Sequence, residues 1–320
     1  MRRKTVLEVN ILRKTYGDTV AVEDVSFTVE RGEIFGLLGP NGAGKTTTIS
    51  CICGLLKPDG GTIIVNGADA VKGIQSAKSM LGMVPQELAL YEELPVETNL
   101  EVFGSLYPSM SSKKIRSSVE RCLSFVDLQK HRKRAVKELS GGMKRRLNIA
   151  VALMHDPPLV LADEPTAGVD PQSRNHIFDK VEELARNGKG VVYTTHYMEE
   201  VERLCRRAAI VDHGQIVAAG TLKELLSFAE DTRSLHLEIA GSETPSIDSG
   251  DLDDFRKEFN PVRCESAGTE LELSFKGELP IAEIMSWLKE KNVKVAGIET
   301  SRPTLEDAFL RLTGRSLRDG

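Results

Sequence analysis

Apolar and polar residues follow two rhythms over the first 220 or so positions. Alternation at 6–12 and 25–29 predicts half-buried strands, separated by a turn at Tyr16, Gly17 and Asp18. A second turn at 30–33 leads into 34–38, a continuous apolar run of the kind that fills a buried strand. The apolar run 159–162 and the strand at 190–194 read the same way. Residues 57–61 break the chain, 62–65 resume as strand before an Asn66-Gly67 turn, and 83–86 give a short strand entering a polar loop. From 96 to about 152 the rhythm is helical, with segments from 98, at 113–123 and at 144–154. Further helices are expected at 174–187 and 198–205, and 208–212 should pair with 215–219 across His213-Gly214. Strands alternating with helices predict an α/β fold carrying a helical insertion.

Composition shifts over 224–233, which reads as a linker. Beyond it the order is strand 235–239, helix 252–259, strands 261–265 and 270–275, helix 281–291 and strand 293–298, closed by a helix at 305–313. This βαββαβ order predicts a small ferredoxin-like α+β domain. The expected plan is a domain at 5–223 with a helical subdomain near 96–152, a linker at 224–233 and an accessory domain at 234–316.

The chain has 320 residues, 40% hydrophobic and 28% charged, which suits an ordinary soluble protein of two domains. A net charge of -5 gives no reason to expect nucleic acid as a partner. No apolar run approaches the roughly 18 residues of a membrane span, and Glu8 and Asn10 interrupt any signal-peptide core, so a cytoplasmic location is expected. Five cysteines (Cys51, Cys53, Cys122, Cys205, Cys264) without a C-x-x-C pair are expected to be reduced thiols.

Chemistry concentrates after the apolar run 34–38. Gly39, Pro40, Asn41, Gly42, Ala43, Gly44, Lys45, Thr46 and Thr47 contain the G-x-x-x-x-G-K-[ST] pattern of a phosphate-binding loop. Glycines let the chain fold back with its N–H groups inward, and the following helix start adds unpaired amides and a positive dipole end. Lys45 suits the β- and γ-phosphates, and the Thr46 hydroxyl suits Mg²⁺. Asp163, ending the run 159–162, can hold a hydrated Mg²⁺, and Glu164 can polarise an attacking water. Ser140, Gly141 and Gly142 form a capped helix start with bare amides, a second anion site.

In this order the motifs resemble the nucleotide-binding subunit of ATP-binding-cassette (ABC) transporters, from residue 6 to about 222. The resemblance makes 39–47 the Walker A loop, 139–143 (LSGGM) the signature and 159–165 (LVLADEP) the Walker B strand with its catalytic glutamate. It places Gln86 at the Q-loop as an Mg²⁺ contact, Asp170 in the D-loop, His196 as the switch histidine and Tyr16 as the aromatic that stacks on adenine. It implies a P-loop NTPase fold with a helical subdomain, and ATP and Mg²⁺ as ligands. It also implies a head-to-tail pair with a second ATPase subunit, most simply a homodimer, and a separate membrane-spanning permease holding the protein at the inner face of the membrane. The ending 303–315 and Lys144-Arg145-Arg146-Leu147 resemble ABC-2-type exporter ATPases of the daunorubicin-resistance kind, without indicating a substrate. A GTPase would need an N-K-x-D motif, which is absent. The competing reading is a soluble ABC ATPase acting on nucleic acid or ribosomes; many of those carry two cassettes or a long coiled-coil insert, which this chain lacks.

Overall fold

Two long strands open the chain. In the computed structural model, which describes residues 4–229, 232–240, 249–301 and 303–314, β1 (Thr5–Tyr16) and β2 (Thr19–Glu30) pair antiparallel down to Tyr16↔Thr19. Both are longer than the alternation predicts. The register slips between Val9 and Leu12, where Ile11 takes a left-handed φ of 50° and is exposed beside Asn10, while Val9 and Leu12 stay buried. Such a bulge breaks the two-residue period on which the prediction depends. Tyr16 therefore ends a strand, and the turn is Gly17-Asp18.

The chain continues through β3 (Ile34–Leu38), α1 (Lys45–Ile52), β4 (Gly60–Val65), β5 (Ala68–Asp69), α2 (Ile74–Lys78) and β6 (Leu81–Val84). A helical portion follows: α3 (Val96–Ser105), α4 (Ser112–Phe125) and α5 (Gly141–Ala152). Then come β7 (Leu159–Asp163), α6 (Pro171–Arg186), β8 (Gly190–Thr195), α7 (Met198–Leu204), β9 (Arg207–Asp212), β10 (Gln215–Thr221) and α8 (Leu222–Ser227).

These strands make two sheets. The first, ordered β2-β1-β4-β5, is antiparallel; the second, ordered β10-β9-β3-β8-β7-β6, is parallel except for β10. A single apolar cluster joins them, with Leu7, Val9 and Phe27 of the first sheet and Phe35, Leu37, Leu161 and Val192 of the second. Phe27 stacks on Phe35 with ring centroids 5.0 Å apart. The strand order sets β3, β8 and β7 side by side, so their carboxyl ends align: Leu38 pairs with Thr195 and Asp163 with Thr194. Ligands of such sheets bind outside those ends.

Two compact units divide between Leu222 and Lys223. The expected linker at 224–233 is partly helical, since α8 runs to Ser227, and a strand begins at Thr232. The second unit holds β11 (Thr232–Ile239), α9 (Ser249–Phe259), β12 (Arg263–Ala267), β13 (Glu270–Lys276), α10 (Ile281–Glu290), β14 (Val295–Ser301) and α11 (Leu305–Thr313). Its sheet, ordered β12-β13-β11-β14, is antiparallel throughout. Leu235, Leu237, Phe255, Leu271, Leu273 and Trp287 fill its core. The last strand starts two residues later than predicted. Val293 is buried, but its N–H bonds to Leu288 O and so finishes α10 instead.

All five cysteines are free and buried. Burial pushes the Cys51 and Cys122 thiols up to about 11 and Cys53 to about 12, and raises Cys205 and Cys264 as well. Among the described residues no helix is long and apolar enough to cross a membrane.

Candidate active site

The loop from Gly39 to Gly44 joins β3 to α1; close approach fixes its first and last glycines, and a left-handed φ of 80° the middle one, Gly42. A Cβ on Gly39 would lie 2.1 Å from Val211 O, and one on Gly44, at φ 101°, would lie 2.5 Å from Ala21 O. The start of β2 and the end of β9 thus press the loop from either side. Gly214 N–H, in the β9–β10 turn, donates to Ala43 O at 3.0 Å, and Glu23 N–H donates to Gly214 O at 2.7 Å.

Lys45, at the first turn of α1, is 4% exposed. Its ammonium donates to Gly39 O (2.7 Å) and Pro40 O (2.9 Å) and lies 3.6 Å from the Glu164 carboxylate. Burial lowers its pKa, and Glu164 opposes that shift.

Glu164 gathers the rest. Its Oε2 accepts from Gln86 Nε2 at 3.4 Å and from His196 Nδ1 at 3.1 Å, the ring nitrogen donating because a carboxylate only accepts. Its backbone sits at φ 44°, a strained region for a side chain of this size, and its N–H donates to the Thr194 hydroxyl (3.0 Å). Asp163 is 1% exposed and accepts from the hydroxyls of Thr194 (2.5 Å) and Thr46. Burial raises its pKa, while those two hydrogen bonds pull it down. Hydroxyl and carboxylate oxygens at one point are the hard donors that suit Mg²⁺.

Strand ends β3, β6, β7 and β8 therefore bring Lys45, Gln86, Asp163, Glu164 and His196 together, with Thr46 on Asp163. Tyr16 lies at the tip of the β1–β2 hairpin, 48% exposed. Asp59 secures that tip, accepting from Thr15 N–H (2.7 Å), Thr15 Oγ1 (2.8 Å) and Lys14 Nζ (3.1 Å). These bonds, the Thr15 N–H first, depress the Asp59 carboxyl to about 2.

Ser140, Gly141 and Gly142 open α5 elsewhere. Ser140 caps the helix by accepting from Met143 N–H (3.3 Å), and Ser140 and Gly141 are exposed. A Cβ on Gly142 would fall 2.0 Å from Ser173 Oγ, so α6 packs on that glycine. Asp170 caps α6 through Ser173 N–H (2.9 Å) and Oγ (2.7 Å). Among the described residues no hydrogen bond or ion pair joins Ser140–Gly142 or Asp170 to the loop 39–47. Two residues missed from sequence tie α5 to the site's loops. Arg145, 8% exposed, donates to Pro85 O (3.3 Å) and Ala167 O (3.2 Å), and Asn148 Nδ2 donates to Pro85 O (3.3 Å). Arg145 stands in the Lys144–Leu147 stretch quoted for the family resemblance, without a role assigned to it, and Asn148 belongs to no pattern.

Known proteins resemble this chain in sequence and fold. A family model described as ABC transporter matches residues 22–167. The linearmycin resistance ATP-binding protein LnrL of Bacillus subtilis (strain 168) is 39% identical over 317 residues, covering 98% of this chain and 100% of that protein. The Nod factor export ATP-binding protein I of Cupriavidus pinatubonensis (strain JMP 134 / LMG 1197) is 38% identical over 317 residues, covering 98% and 92%. Among solved structures, an ATP-binding subunit of an ABC transporter superposes with a TM-score of 0.63 at 33% identity, over 69% of this chain and 92% of that one. A dimeric ATP-binding cassette in a post-hydrolysis state with ADP and phosphate gives 0.61 at 27% identity, over 68% and 98%. Likeness to such proteins along nearly its whole length places the chain in the ABC transporter family, as an ATP-binding and ATP-hydrolysing subunit.

Proposed function

We propose that this ATPase powers export through a separate membrane-spanning permease, to which it is docked at the cytoplasmic face of the membrane. The observation that carries the reading is the Glu164 carboxylate, met at once by Lys45, Gln86 and His196 beside the phosphate loop. In it Glu164 is the general base toward water, His196 contacts the γ-phosphate and Lys45 holds the β/γ-phosphate charge. Loop amides from Gly39 to Thr47 cradle the phosphates, and Tyr16 stacks on adenine. Thr46, Asp163 and, through its amide, Gln86 would hold Mg²⁺, which when bound neutralises charge on the β- and γ-oxygens.

Ser140 and Gly141 face outward, which supports a head-to-tail pair in which they and Asp170 complete the partner's site. Replacing Glu164 by Gln removes the base and keeps the binding groups. The variant is expected to bind ATP, hydrolyse at least about a hundredfold more slowly and accumulate as a dimer by light scattering. Monomer alone at saturating ATP, together with wild-type turnover, would refute the reading.

Export is supported by the relatives named for Nod factor export and linearmycin resistance. The docking side is the loop after Gln86. Leu88 and Tyr91 are exposed, and Asn99 fixes the loop by accepting from Tyr91 N–H (2.8 Å) and donating to Tyr91 O (3.0 Å). A Leu90→Cys variant is expected to crosslink to a multi-span membrane protein; recovery of ribosomal protein or nucleic acid instead would favour the soluble-ATPase reading. The second unit supplies none of these residues and is assigned an accessory role in subunit assembly or regulation.

A further inference from the structure

One fully buried carboxylate lies outside this site and bonds to the chain on both sides of it. Glu200, in α7, is 2% exposed. It accepts from Thr166 Oγ1 (2.8 Å), Thr195 Oγ1 (2.8 Å) and Tyr193 Oη (3.0 Å). Thr166 follows Glu164 by two residues, and Thr195 directly precedes His196. The Thr195 hydroxyl also accepts Tyr197 N–H at 2.9 Å, so it grips the backbone on the far side of His196. Arg174, in the first turn of the helix that Asp170 caps, reaches to 3.8 Å from Glu200, and its Nε has no hydrogen-bond partner.

A buried carboxylate is costly unless fully bonded, and an apolar side chain of the same volume often serves stability equally well. What the charge adds here is geometry, because one group collects hydroxyls from two separate strand ends. The loop at Glu164 is strained, and a strained conformation persists only when its surroundings over-determine it.

We propose that Glu200 is a positioning residue for hydrolysis, holding His196 and Glu164 at their 3.1 Å contact through Thr195 and Thr166. The proposal rests on the roles assigned above to those two residues. A loosened contact slows the chemical step without touching the groups that hold nucleotide, which separates positioning from simple structural support.

The test uses the full-length chain, with kcat, KM for ATP and thermal midpoint measured for each variant. Thr195→Val keeps the shape and removes the relay; it is expected to lower kcat about tenfold, with KM within about twofold and a midpoint only a few degrees lower, about the cost of the hydrogen bonds lost. Thr195→Ser should restore the rate. Glu200→Gln should also lower kcat, and the double variant should be no slower than the slower single one, because both interrupt one path. His196→Ala is the reference. Full rates for Thr195→Val and Glu200→Gln beside an inactive His196→Ala would overturn the positioning role alone. A loss of kcat that tracks a loss of thermal midpoint and of nucleotide binding would also overturn it. A fully active His196→Ala would overturn the assigned roles, and the positioning with them.

Discussion

Two helices of the cassette begin at glycines, α1 behind Gly44 and α5 on Gly141 and Gly142, and the two starts end in opposite circumstances. At α1 the loop is wedged between Val211 O and Ala21 O, its lysine is buried, and three neighbouring strand ends deliver further polar groups to it. At α5 the serine and first glycine are exposed, the cap is closed locally, and only Gly142 is packed, against Ser173. Both starts offer bare amides and a positive dipole end, so the helix terminus alone does not make a site. The surroundings do: one start is finished within the chain, while the other presents its amides outward.

That contrast yields effects of decreasing size. Lys45→Ala strikes the finished start and is expected to reduce ATP hydrolysis by at least about a hundredfold, since a fixed charge facing phosphate is lost. Equilibrium nucleotide binding and phosphate release measure this, and wild-type turnover would erase the contrast. Gly142→Ala strikes the outward start. The new methyl group must displace Ser173 and with it the Asp170 cap. It is expected to lower kcat about tenfold, with ATP affinity of the separate subunit unchanged. A matching loss of affinity in the monomer would show that the two starts serve one site in cis. Ser140→Ala should have the least effect, about 1 kcal/mol from the lost cap, read as a fall of about 2–4 °C in the thermal midpoint.

What was legible in the sequence follows the same division between local and distant. The phosphate loop is one uninterrupted segment with a fixed spacing of residue types, so its residues could be named directly, although the oxygens that crowd its glycines, Val211 O and Ala21 O, lie far off in sequence. Gln86, Glu164 and His196 meet only because β6, β7 and β8 lie in sheet order, and their separations of 78 and 32 residues carry no physical signal. Family resemblance assembled them. Nothing assembled Glu200 or Asn148, and Arg145 was read only as part of a basic stretch, because a polar residue on a helix looks the same in sequence whether it is solvated or buried. In the fold, unbroken apolar runs such as 159–162 marked central strands correctly. The long first hairpin was underestimated at Ile11, where a bulge ends the alternation, and the separation into two sheets depends on pairings that alternation does not specify.

The buried thiols bear on how the protein can be labelled. A thiol reacts as its thiolate, and burial that raises its pKa withholds both the thiolate and access to it. With Cys51, Cys53 and Cys122 raised to about 11 to 12, the other two also raised and all five buried, the native chain is expected to react slowly with maleimides and spin labels at neutral pH. A single cysteine introduced on the surface would then report alone, without first replacing the five buried ones.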